Sequence, residues 1–154
     1  MSQGQDLMEL LPGPAVIEIG ALKVGVQIEN KQIAEDVHLL YGDYPLGEPG
    51  LLTDFDIHLR PPNLWRSFVR PQVQFFLDGM PPFLPMPIEL GATMFESAVN
   101  WCVFCRILRY LILHAAVVER DGKAVIFPGH SGSGKSTLCA ELVGRGWRLL
   151  SDEL

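Results

Sequence analysis

Gly129-His130-Ser131-Gly132-Ser133-Gly134-Lys135-Ser136 decides how the rest of the chain is read. The stretch fits G-x-x-x-x-G-K-[ST], a spelling whose chemistry is the cradling of nucleotide phosphates. Glycines at these places let the backbone curl with its N–H groups inward, because a Cβ would block the dihedrals or the approach of a phosphate oxygen. Lys135 falls in the first turn of the following helix, where its ammonium reaches outer phosphates and the helix N-terminus adds partial positive charge. Ser136 offers its hydroxyl to Mg²⁺. The nucleotide site read this way comprises Gly129, Ser131, Gly132, Ser133, Gly134, Lys135, Ser136 and Thr137, with nucleotide phosphates and Mg²⁺ as the ligands. Ala124-Val125-Ile126-Phe127 predicts a buried strand before the loop, and Thr137 to Val143, with Leu138, Cys139 and Leu142 on one face, a helix after it.

Outward from the loop the order of elements sharpens this reading. Gly144-Arg145-Gly146 stops the helix, and Trp147 to Ser151 forms the next strand, which ends in Asp152-Glu153. Ligands of open α/β sheets sit beyond the carboxyl ends of strands, so this acid pair is placed to work on a terminal phosphate. One acid orients or deprotonates an attacking hydroxyl and the other helps to hold the metal. Upstream, Leu111 to Glu119 predicts a strand carrying His114, joined through a hairpin turn at Arg120-Asp121-Gly122-Lys123 to the strand that feeds the loop. A single histidine on a buried strand is by itself more often a hydrogen-bonded core residue than a catalyst.

Gly91 to about Leu111 predicts a helix whose polar residues lie on opposing sides, Glu96 and Asn100 against Arg106 and Arg109, and which is therefore expected to be buried on most faces, Phe95, Val99, Trp101 and Leu108 included. Residues 1–90 read as a β-rich region. Ile17/Ile19, Leu22/Val24/Val26/Ile28, Phe55/Ile57/Leu59 and Val73/Phe75/Leu77 alternate with polar residues, while 41–50 and the proline-dense 80–87 read as loops. Cys102-Val-Phe-Cys105 has a metal or redox spelling without a second ligand pair, so small apolar residues on a buried helix is the better account. Asp54, Asp56 and His58 share one strand face and read as a solvated face rather than a ligand set.

Composition narrows the class. Hydrophobic residues at 48% and charged ones at 19% describe a globular chain of ordinary domain size. A net charge of −6 makes the surface as a whole repel nucleic acid and anionic lipid, although a local basic patch remains allowed. No nucleic-acid or membrane partner is expected on that ground. Three cysteines without a secretory leader point to a reducing cytoplasm.

His114-Ala115-Ala116, the hairpin, the glycine loop and the run from Glu141 to Asp152 together resemble the core of HPr kinase/phosphorylase, and within it the HprK-related kinase A branch. The resemblance is strong over residues 113–154 and loose before them. It implies an α/β fold with the P-loop core shared by HPr kinase and phosphoenolpyruvate carboxykinase, truncated here and preceded by the β-rich region and a buried helix. The domain layout it suggests is 1–90, then 91–154 as the start of a kinase domain. It also implies ATP and Mg²⁺, catalytic roles for His114, Lys135 and Asp152, and phosphorylation of a serine on a small protein, HPr-like or from a PqqD-like chaperone system, while Ser136 and Glu153 stay the candidate metal ligands of the loop and the acid pair. A homo-oligomer fits that family too. Three positions depart from the family pattern, Ala115 for glycine, Thr137 for glutamate and Glu153 for aspartate, and the chain ends where the family continues, so a fragment is the expected reading. Phosphoenolpyruvate carboxykinase-like transfer and nucleotide binding without turnover are the competing readings.

Overall fold

A computed structural model describes residues 13–48, 50–130 and 132–151. The fold is mixed α/β, and the described residues divide between Arg106 and Ile107 into two compact units.

The first unit is built on a sheet in the order β1-β2-β3-β4-β5. β1 (Ala15–Ile19) and β2 (Leu22–Ile28) form the hairpin that the alternation predicts, turning through Gly20 at φ 61°. A helix follows that the sequence reading passes over: α1 (Lys31–Tyr41), whose N-cap Asn30 accepts the Ile33 N–H at 3.1 Å. It buries Ile33, Ala34 and Val37. This crossover lets β3 (Phe55–Arg60) pair parallel with β2. Phe55, Ile57 and Leu59 are buried, as the alternation predicts, and Pro61-Pro62 ends the strand. A short helical turn, α2 (Trp65–Phe68), leads to β4 (Gln72–Phe76), antiparallel to β3, and to the two-residue β5 (Met86–Pro87).

α3 (Gly91–Arg106) is shorter and more one-sided than its sequence suggests. Its buried residues, Gly91, Met94, Phe95, Ala98, Val99 and Cys102, follow the i, i+3, i+4, i+7 rule of a single face. That face packs on β3, β4 and α1. The expectation of burial on most sides is therefore corrected: Phe104 and Leu108 are 70% and 88% exposed, and Trp101 is half-buried against Phe75 and Phe83. Opposed polar residues reflect a helix end, where Arg106 pairs with Asp78 of the β4 turn, rather than a second covered face. Burial pushes the Cys102 thiol up to about 12, while Cys105 is exposed, so the C-x-x-C pair is split between core and surface. α3 thus belongs with the sheet of the first unit, one helix beyond the 90/91 boundary suggested by the sequence.

Gly91 is where this packing is tightest. A Cβ there would stand 2.3 Å from Cγ1 of Ile33, a side chain buried in the core. Gly91→Ala is therefore expected to destabilise the fold by about 1–2 kcal/mol despite alanine's better helix propensity. Urea unfolding of Gly91→Ala, Ile33→Ala and the double variant measures this, and the combined loss should fall short of the sum of the two single losses.

The second unit is a three-stranded sheet, β7-β6-β8, with one helix. β6 (Ala115–Arg120) and β7 (Lys123–Pro128) form the predicted hairpin, with Asp121 and Gly122 at φ 54° and 74°, the left-handed pair that a two-residue turn requires. α4 (Lys135–Gly144) and β8 (Arg148–Ser151) complete it. Ala116, Val118 and Cys139 form its core, with Phe127, Leu142 and Trp147 packed around them. Two expectations are corrected. β7 is mostly exposed rather than buried, with Ile126 at 52%, because among the described residues it is an edge strand of this sheet. His114 precedes β6 in an irregular segment and is exposed, because the apolar run before it does not pair as strand.

Candidate functional site

β6 pairs antiparallel with both neighbours, so β7 and β8 run in the same direction and end at the same edge of the sheet. The glycine loop leaves from that edge. Pro128 closes β7, and Gly129 N–H, at 3.5 Å from the His114 carbonyl oxygen, ties the first loop residue to the chain just before β6. The loop then turns back on itself, with Ser133 N–H donating to the His130 carbonyl at 3.2 Å. Gly132 and Gly134 stand at φ 79° and 88°, a region that costs an L residue about 1–2 kcal/mol, so these glycines serve the backbone curl. Gly129 serves a close approach instead: a Cβ there would meet Ser133 Oγ at 2.8 Å.

α4 starts directly from this curl. Its N-cap, Gly134, has no side chain to accept from the first helical N–H groups, and Leu138 N–H makes the first backbone bond to the Gly134 carbonyl at 3.0 Å. The N–H groups ahead of Leu138 are the ones an anion at a helix N-terminus can take. Lys135 folds over the loop, its Nζ donating to the carbonyls of Gly129 at 2.7 Å and His130 at 3.2 Å. A cation is thus held at the mouth of an amide-rich turn. Around it lies a concavity of about 380 Å³ bounded by loop residues and by Phe127, Pro128 and Leu138. Those three walls are not among the site residues read from sequence, although their adjacency to the loop could have named them.

Of the sequence-predicted site residues, Gly129, Gly132, Ser133, Gly134 and Lys135 come together in the loop, and Ser136 and Thr137 occupy the exposed first turn of α4. His114 meets the loop through its backbone carbonyl. Ser131, Asp152 and Glu153 lie outside the described residues. The last described residue, Ser151, pairs with Val117, which in turn faces Ile126 on β7. β8 thus runs toward the same end of the sheet as β7.

The electrostatics of this unit also include a structural carboxylate away from that edge. Glu119 accepts from the Gly122 N–H at 2.7 Å and from Arg148 Nε at 3.0 Å, and these bonds, the first above all, hold its carboxyl below the usual range. It braces the hairpin turn.

Compared with known proteins, the chain is 29% identical over 99 residues to an HPr kinase/phosphorylase of Lachnoclostridium phytofermentans, an alignment covering 57% of this chain and 32% of that protein. The chain therefore spans about a third of the curated relative it matches. Residues 113–154 alone are too few to supply 57% of the chain, so the similarity reaches back before Leu113. No family profile matches, and no solved structure matches. The similarity makes the chain a distant relative of a kinase/phosphorylase. Among the described residues no helix is long and apolar enough to cross a membrane.

Proposed function

We propose that this chain is an ATP-dependent phosphotransferase of the HPr kinase-related type, with a P-loop core beginning in the second unit, and that it phosphorylates a serine of a small protein partner. The observation that carries this reading is the strand–glycine loop–helix arrangement with the Lys135 ammonium bonded across the loop mouth. The 29% identity to an HPr kinase/phosphorylase supports the choice of reaction class.

In this reading, Mg²⁺-ATP enters with its phosphates against the loop and the first turn of α4. Curled N–H groups and the helix N-terminus neutralise phosphate charge. Lys135 exchanges its two neutral carbonyl acceptors for anionic phosphate oxygens, so that both partners of the contact are charged. Ser136 and Glu153 would hold the metal, which supplies charge neutralisation between the phosphates. Asp152 takes the proton of the acceptor hydroxyl, and His114, tied by its backbone to Gly129, positions that acid. Phosphoryl transfer asks a protein mainly for positioning and charge, which such residues supply without covalent chemistry. An HPr-like acceptor or a member of a PqqD-like chaperone system fits the partner role.

Incubation with γ-labelled ATP, Mg²⁺ and a small HPr-like acceptor tests the reading. Label should appear on an acceptor serine and vanish when that serine becomes alanine. Saturable nucleotide binding with no transfer would move the assignment to a binding module without turnover.

A further inference from the structure

The first unit carries a feature that the phosphotransferase reading does not use. Between Ile57 and Leu77 the sequence holds Arg60, Arg66 and Arg70 and no Asp or Glu, within a chain whose net charge is −6. The same segment projects apolar side chains: Leu64 is 85% exposed, Trp65 69% and Phe68 83%. Large apolar groups clustered on a surface are the informative exception to ordinary burial.

These exposures belong to an ordered turn. Asn63, just ahead of α2, accepts from Arg66 N–H through its Oδ1 at 3.0 Å, and Val69 N–H closes the turn on the Trp65 carbonyl at 3.0 Å. Beyond it, the Pro71 carbonyl is anchored by Ile88 N–H at 3.1 Å. Arg70 sits at φ 47°, a left-handed conformation uncommon for arginine. Among the described residues no ion pair joins Arg66 or Arg70 to a carboxylate. Glu29, which lines the same cleft as Arg66, is bonded to His58 Nε2 at 3.0 Å.

We propose that residues 63–70 form a docking turn for an anionic bilayer surface, with Leu64, Trp65 and Phe68 entering the interface and Arg66 and Arg70 meeting lipid phosphates. Charge complementarity selects an anionic surface. Side chains that stand this clear of their own protein are buried most readily by a medium that flows around them, as a headgroup region does, and Trp and Phe beside Arg are the residues suited to that boundary. The overall charge of −6 does not prevent this, because charges farther away than about 10 Å are largely screened at physiological salt. Docking of this kind lies on the surface and requires no spanning helix.

Co-sedimentation with phosphatidylcholine vesicles, with and without about 30% phosphatidylglycerol, tests the proposal. The intact chain should sediment with the anionic vesicles only. Trp65→Ser with Phe68→Ser, and separately Arg66→Gln with Arg70→Gln, should each weaken partitioning at least about tenfold. Thermal unfolding should be little changed in both pairs, since Trp65, Phe68 and Arg70 are exposed and the half-buried Arg66 has no ion pair among the described residues. Failure to bind anionic vesicles, or binding that both pairs leave intact, would overturn the proposal. So would self-association of the parent without vesicles that the Trp65/Phe68 pair abolishes, which would make this turn a contact between copies.

Discussion

Asp152→Asn is expected to slow phosphoryl transfer at least ~100-fold while leaving ATP affinity close to that of the parent. An amide keeps the shape of the carboxylate but cannot accept the acceptor's proton, so the loss falls on turnover and not on ground-state binding. The residue lies outside the described part of the chain. Its place in sequence directly after β8, which runs toward the loop end of the sheet, and the similarity to an HPr kinase/phosphorylase support this role. His114→Ala should do less harm, because a positioning residue acts through Asp152. Steady-state transfer and nucleotide calorimetry on the same preparations separate the outcomes. Full transfer activity in Asp152→Asn would shift the base to Glu153, and loss of ATP binding would make Asp152 a metal ligand.

Lys135→Ala is expected to weaken Mg²⁺-ATP binding about tenfold to a hundredfold. A hydrogen bond to a charged group contributes about 1.5–3 kcal/mol, and about 1.4 kcal/mol corresponds to a factor of ten. Lys135→Arg should restore little, since a planar guanidinium does not fit the place where Nζ lies within 2.7 Å of the Gly129 carbonyl and 3.2 Å of that of His130. Calorimetric titration checks both variants, with circular dichroism to show that the loop helix persists. Unchanged affinity in Lys135→Ala would remove the loop from the nucleotide site.

Much of this arrangement could be read in the residues because the local rules are strong where they apply. Glycine at 132 and 134 announces positive φ, Asp121-Gly122 announces the hairpin, and strict alternation at Phe55, Ile57 and Leu59 announces a half-buried strand. α1 went unread because its stripe is short, although Asn30 followed by Ile33, Ala34 and Val37 carries both the cap and the face. The end of α3 and the start of β6 were misplaced for one reason: the run 107–114 is apolar without being packed as helix or strand, and hydrophobicity alone does not reveal which partner an apolar segment has. Leu108 at 88% exposure and exposed His114 are the result. The same limit applies at residues 64–68, where the exposure of Trp65 and Phe68 depends on the fold and not on their hydrophobicity. Of the candidate site, the positive-φ Gly132 and Gly134 and the helix after them stand where the sequence expects them, while the walls at Phe127, Pro128 and Leu138 depend on the fold.

The central claim is that phosphates of a nucleotide sit on the curl from Gly129 to Thr137. Amide NMR of the labelled chain titrated with Mg²⁺-ATP tests it most directly. The expected result is saturable shifts concentrated at Gly132, Gly134, Lys135, Ser136 and Thr137, with the Lys135 side chain leaving its two carbonyls. Saturable binding that moves amides elsewhere and leaves these glycines unshifted would contradict it.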